Sequence, residues 1–288
     1  METEIASLAA ADAVLEERPQ PWRALYEHWD RNQWAVASLD FSADVVSFAR
    51  LGADEQRAMI WLFAHRFHAE FNIAGLLAPF LDAAPTYDVA LLLATQVADE
   101  YRHLQCVLRI YEEVFGVAGG IEAVRLVADA NRDPVAFGFY DALERKVVAL
   151  REDRSEAAFL KAVVAYHVVA EGAIGRAAQK LTARQYERHG FPGLADGQRQ
   201  VTRDEARHVG IGVTYARGRM DADPEATRAT ITEVLDEFGE LAARSLEVAA
   251  AELDDALVTG YGAGAQEFHD EILRLLQVRL RSIGYLED

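Results

Sequence analysis

With one cysteine, Cys106, in 288 residues, the chain has no internal disulfide framework and no multi-cysteine metal site. Any metal it holds must be ligated through nitrogen and oxygen. Alternating runs of β-branched residues are missing, which removes the signature of half-buried strands. Positive charge is short as well: 29 Lys and Arg against 47 Asp and Glu leave a formal charge of −18, which opposes binding to nucleic acid or to an anionic membrane surface. Behind Met1 there is no basic segment followed by an apolar run. No stretch approaches the roughly 20 uninterrupted apolar residues of a membrane span. The expectation is a cytoplasmic protein with no nucleic-acid partner and no membrane span.

Ala, Leu, Glu and Arg fill long stretches in which apolar residues recur every three or four positions, the pattern of amphipathic helices. The breaks are readable. Pro79 and Pro85 bracket one, Gly116 to Gly120 mark another, and His189-Gly190-Phe191-Pro192-Gly193 a third. Asp133-Pro134 and Asp223-Pro224 read as starts, each an N-cap with proline in the first turn. The predicted helices are 54–80, 86–115, 120–131, 134–152, 155–189, 194–219, 223–254 and 262–284, with shorter pieces before residue 50. No low-complexity linker divides them. The expectation is one all-α domain over 1–288: an N-terminal helical segment (1–50), a four-helix core (54–219) and additional C-terminal helices (223–288).

Two of these helices carry nearly the same five letters, "DEYRH" at 99–103 and "DEARH" at 204–208. Glu100 and His103, like Glu205 and His208, are three residues apart and rise from one helix face. Each motif helix follows another long helix that contains a single internal acid. Between Glu55 and Asp82 it is Glu70, and between Glu156 and Glu187 it is Glu171. A lone carboxylate in such apolar company demands a cation or a proton. Glu70 and Glu100 are 30 residues apart, Glu171 and Glu205 34, and each interval contains one break, so in two antiparallel hairpins the partners lie at similar heights. One Glu from each of two helices and Glu-x-x-His from each of the others is the ligand set of a carboxylate-bridged dinuclear metal site in a four-helix bundle. Four glutamates offset two divalent ions, and carboxylate with imidazole suits iron and manganese.

Around these six residues the reading is more modest. Asp99 and Asp204, four residues before each motif His, are expected to take the free N–H of the His in the opposite motif. His167, four residues before Glu171, is a candidate seventh ligand. His28, His65, His68, His189 and His269 lack matched partners and read as structural or exposed. Cys106 reads as a small buried residue, Arg102 and Arg207 as outward ion-pair partners, and Gly172, Gly175, Gly210 and Gly212 as sites of close helix packing.

From "LDFSADVVSFARLGADEQRA" at 39–58 to about residue 215, the chain resembles the ferritin-like superfamily. Within it the chain is similar to the small subunit of ribonucleotide reductase and, more specifically, to the small-subunit-like ligand-binding oxidases. That resemblance implies a ferritin-like four-helix bundle, a Mn/Fe or Fe/Fe pair that activates O2, a long-chain fatty-acid-like ligand and a homodimer. It also implies a tyrosine five residues before the third Glu, met here by Tyr166 in "YHVVAEG", and a valine three after the first, replaced here by Ile73. In that family these two side chains become joined by an ether bond during O2 activation. The radical tyrosine of reductase subunits, four residues after the first motif His, is Val107 here. The extra His of arylamine N-oxygenases is Val201. A substrate-specific oxygenase or desaturase, a reductase subunit without the radical tyrosine, and an iron store are the alternatives.

Overall fold

The computed structural model describes residues 15–131, 134–248, 258 and 262–287. Among them there are eleven α-helices and no strand. They are α1 (Trp22–Arg31), α2 (Ser42–Arg50), α3 (Ala53–Ala83), α4 (Tyr87–Glu113), α5 (Gly120–Ala130), α6 (Pro134–Val148), α7 (Glu156–Val163), α8 (Arg176–His189), α9 (Pro192–Ala222), α10 (Pro224–Val248) and α11 (Ala265–Ile283). Short 3-10 turns occupy Val36–Ser38 and Ala149–Arg151. The all-α expectation holds, and most predicted boundaries fall within a few residues of the observed ones. Residues 249–254 of the predicted helix 223–254, and Asp133 as an N-cap, lie outside the described residues.

Local chemistry accounts for the ends. Thr86 caps α4 by accepting the Val89 N–H at 3.3 Å, Ser155 caps α7 through the Ala158 N–H at 3.2 Å, and Asp223 caps α10 through the Ala226 N–H at 3.2 Å. Gly190, at φ 67°, closes α8 in the left-handed conformation that favours glycine. The break expected between Pro79 and Pro85 falls at Ala84–Thr86, since α3 runs through Pro79 to Ala83. The ring of a helical proline crowds the carbonyl four residues earlier. That residue is Gly75, and α3 remains helical across both positions.

The helix predicted over 155–189 is continuous but not uniform, because Val164–Gly175 is π-helical between α7 and α8. Periodicity does not reveal this, since one widened turn leaves the apolar pattern on either side intact. Glu156–His189 also corrects the expectation about apolar length. By length and composition this stretch could cross a membrane, yet 78% of its apolar window is buried inside the bundle.

Two hairpins form the core: α3 with α4, and the rod α7–π–α8 with α9. In all four rods the chain passes from one apolar cluster to another. On one side lie Leu77, Phe80, Leu93, Val163, Val169 and Val213; on the other lie Phe63, Phe67, Val107, Tyr186 and Leu194. Glu70, Glu100, Glu171 and Glu205 fall between the two clusters along their rods, which places the acids in a layer across the middle. The outer helices close over this core. Asp44 of α2 is fully buried and accepts the Gly193 and Leu194 N–H groups at 2.9 Å each, capping α9 from another helix. A Cβ on Gly193 would stand 2.2 Å from the Asp40 carbonyl oxygen, so this approach requires glycine.

Asp44→Ala removes a cap and strands two buried N–H groups. It should cost about 2 kcal/mol in urea unfolding. A change below about 0.5 kcal/mol would show that the cap contributes nothing.

Candidate metal centre

α3 supplies Glu70, α4 supplies Glu100 and His103, the π segment supplies Glu171, and α9 supplies Glu205 and His208. All six are buried. Around His103 Nδ1 stand Glu70 Oε2, Glu100 Oε2 and Glu205 Oε1, each at 3.5 Å. Around His208 Nδ1 stand Glu100 Oε1 at 3.2 Å, Glu205 Oε2 at 3.6 Å and Glu171 Oε1 at 3.8 Å. Glu100 and Glu205 therefore belong to both groups, each turning one oxygen to each imidazole. Within each group of four the donor atoms lie within 4.8 Å of one another. Two overlapping sets of oxygen and nitrogen donors, with two carboxylates shared, fit two adjacent cations of the iron or manganese type.

The far nitrogens point at aspartates on the opposite motif helix. His103 Nε2 lies 3.2 Å from Asp204 Oδ2, and His208 Nε2 lies 3.2 Å from Asp99 Oδ2. Each aspartate is held in turn by an indole: Trp29 Nε1 donates to Asp99 at 3.0 Å and Trp34 Nε1 to Asp204 at 2.7 Å. Arg207 is not an outward ion-pair partner. It is buried and donates to Asp99 at 2.5 Å and to Thr95 at 3.0 Å. Arg102 also turns inward, pairing with Asp99 and standing 3.4 Å from Asp204. The reason is charge: two buried aspartates demand cations, and among the described residues these are the guanidiniums that reach them.

Gln96, one turn before Glu100, was not singled out in the sequence. Its amide N–H donates to Glu171 Oε1 at 2.9 Å, and its carbonyl oxygen lies 3.0 Å from His167 Nε2. His167 is thus turned to Gln96 and joins neither donor group, and burial pushes its imidazole down to about 3. Arg66 Nε stands 3.8 Å from Glu70. His28, His65, His68, His189 and His269 stay outside the cluster among the described residues. Cys106 is buried, as expected. The glycines pack: a Cβ on Gly212 would stand 2.3 Å from His167 Cβ, and one on Gly210 would stand 2.8 Å from the Leu15 carbonyl oxygen.

Tyr166 is fully buried beside Phe80, with ring centroids 5.4 Å apart, and its hydroxyl has no hydrogen-bond partner among the described residues. Burial first, then the charge of Glu171, holds the phenol well above its ordinary range. Ile73 lies in α3 three residues after Glu70, and its side chain lies outside the described residues.

Without a metal, protons neutralise the cluster. Burial raises Glu171 well above the carboxylate range and raises Glu70 as well. Burial opposes charging His103 and His208, but the hydrogen bonds they donate to Asp204 and Asp99, respectively, and to the glutamates lift both well above 6.5.

No family model matches the chain. Among solved structures, it is similar to a variant of an R2-like ligand-binding oxidase with an anaerobically reconstituted Mn/Fe cofactor. The two share 22% identity over 91% of this chain and 93% of that one, at a TM-score of 0.78. An R2-like ligand-binding oxidase with an aerobically reconstituted Mn/Fe cofactor matches at 22% identity, 91% and 92% coverage and a TM-score of 0.77. This likeness establishes the fold class, a ferritin-like helical bundle.

Metal ions must displace the protons on His103, His208 and Glu171, so loading Mn(II) or Fe(II) into metal-free protein near pH 7 should release protons. Affinity should rise about tenfold per pH unit for each proton displaced. In the metal-free protein the sign is opposite. Protons are held more tightly folded than unfolded, so stability falls as pH rises from 6.5 through the raised imidazole values. Dye-monitored titration reads the first effect and urea unfolding the second. Metal uptake without proton release would contradict this account.

Proposed function

We propose that the protein is an O2-activating oxidoreductase with two metal ions per chain, Mn/Fe or Fe/Fe, held by Glu70, Glu100, His103, Glu171, Glu205 and His208. The observation that carries this reading is the sharing of Glu100 and Glu205, each with one oxygen toward each imidazole. When bound, such a metal pair supplies the electrons and Lewis acidity that O2 reduction needs. The chain's own residues do the rest. Asp204 and Asp99 fix the orientation of His103 and His208, leaving Nδ1 of each turned to the carboxylates. The two apolar clusters exclude water from the layer of acids. Gln96 holds Glu171 through a neutral hydrogen bond, whereas Arg66 places a positive charge beside Glu70.

The reading extends to a long-chain fatty-acid-like ligand, a homodimer, a cytoplasmic location and a single domain over 1–288. It is supported by the oxidase-like pattern at Tyr166 and by the fold shared with ligand-binding oxidases that carry a Mn/Fe cofactor. Val107 in place of the radical tyrosine weighs against a reductase subunit of the tyrosyl-radical kind; the residue is buried among aliphatic and aromatic side chains. Tyr166 and Ile73 are the proposed reacting pair. Loss of the phenol O–H hydrogen and the Ile73 Cβ hydrogen would leave a Tyr166 Oη–Ile73 Cβ ether bond, with two protons and two electrons passing to O2.

Purified protein should hold two metal ions per chain by elemental analysis. Glu100→Ala and Glu205→Ala should each lose at least one and stop consuming O2. Full metal content in both variants would overturn the ligand assignment. After Mn(II) and Fe(II) loading in air, mass spectrometry of a tryptic digest should find the Tyr166 and Ile73 peptides joined and lighter by two hydrogens. Solvent extraction of the untreated protein should release a fatty acid. Separate peptides after complete metal oxidation would move the chemistry to an external substrate.

A further inference from the structure

The π segment Val164–Gly175 is tied down at its C-terminal end by residues far away in the chain. In an α-helix the Arg176 N–H would bond to the Gly172 carbonyl. Here it points to the carbonyls of Glu171 and Ala173 instead. The Gly172 carbonyl receives the Arg279 Nε–H of α11 at 3.3 Å. Arg279 is buried, and its guanidinium pairs with Glu16, itself buried in the segment just before α1. The other Glu16 oxygen is 2.5 Å from Nη2 of Arg176, the first residue of α8 after the π segment. Gly172 suits this arrangement: a Cβ there would stand 2.8 Å from the His167 carbonyl oxygen and 3.5 Å from Arg279 Cγ.

π-Helical turns are rare and less favourable than α-helix, so a π segment persists where outside contacts hold it. Both contacts described here attach within five residues of Glu171, and the register of the backbone decides where the Glu171 carboxylate points. We propose that Arg279, aligned by Glu16, is a positioning residue that keeps this segment in its π form and so keeps Glu171 in the cluster beside His208. The proposal deepens the dinuclear-site reading and rests on it for its metal consequence, though not for its backbone consequence. It also gives a role to the N-terminal segment and to α11, which contribute none of the six donors. Neither Glu16 nor Arg279 touches those donors in any ion pair or hydrogen bond described.

The test is amide hydrogen exchange by mass spectrometry on the full chain, metal-free and after Mn(II) loading, together with elemental analysis. In Arg279→Met, exchange across 164–176 should rise about tenfold or more, with α3 and α4 unchanged. Bound metal should fall from two ions per chain towards one. Arg279→Lys restores an ion pair with Glu16 but not the second donor to the Gly172 carbonyl, so stability should recover while exchange across 164–176 stays raised. A folded Arg279→Met protein with wild-type exchange in this segment would overturn the proposal. Should that variant not fold, Glu16→Gln decides: a rise confined to 164–176 supports the clamp, and no rise refutes it. If the wild type binds no Mn(II), the dinuclear reading fails, while the exchange result still decides the clamp.

Discussion

Four carboxylates within a few ångströms of each other in an apolar interior cannot all be ionised unless positive charge stands among them. Everything else about the bundle answers that constraint. Glu70 and Glu171 are the lone acids in the interior of their rods, Glu100 and Glu205 stand within the charged motifs of theirs, and all four are flanked along the helix by residues of two apolar clusters. Desolvation makes an unpaired charge prohibitive at such a place. The imidazoles, the protons of the metal-free state and the proposed cations are successive ways of meeting the same demand. The four-helix frame is the means of holding the acids close enough to create it.

The demand propagates outward. Each imidazole takes an aspartate from the opposite helix, each aspartate takes an indole, and Arg207 and Arg102 bring the charge needed beyond them. Because the aspartate and histidine of each pair lie on different helices, α4 and α9 are interlocked twice, once in each direction. Sliding one helix along the other would break both contacts together. The side chains of the cluster are thus fixed by a polar lattice spanning helices α1, α4 and α9, and by the adjoining Trp34 loop.

Much of the centre was legible before the fold was known. The repeated Asp-Glu-x-Arg-His pattern and the isolation of Glu70 and Glu171 identified the residues that the structure brings together, because helical spacing converts directly into a shared face. What was not legible depends on contacts across long separations. Trp29 and Trp34 lie 70 and 170 residues from the aspartates they bind. The inward turn of Arg207 follows from a partner 108 residues away. Gln96 could have been suspected, since it stands one turn before Glu100 on the same face, but a glutamine on a helix carries little signal by itself. The π segment was invisible because it alters hydrogen-bond register and not residue type.

The shared carboxylates give the centre an approximate twofold layout, but its surroundings are not twofold. Glu70 has the Arg66 guanidinium beside it, whereas Glu171 has the neutral amide of Gln96. In the other half the buried guanidinium is Arg207, which stands behind the Asp99–His208 pair and not beside a glutamate. The duplicated motif thus produces two positions that differ in their surroundings, and it does so without any difference in the donor atoms themselves.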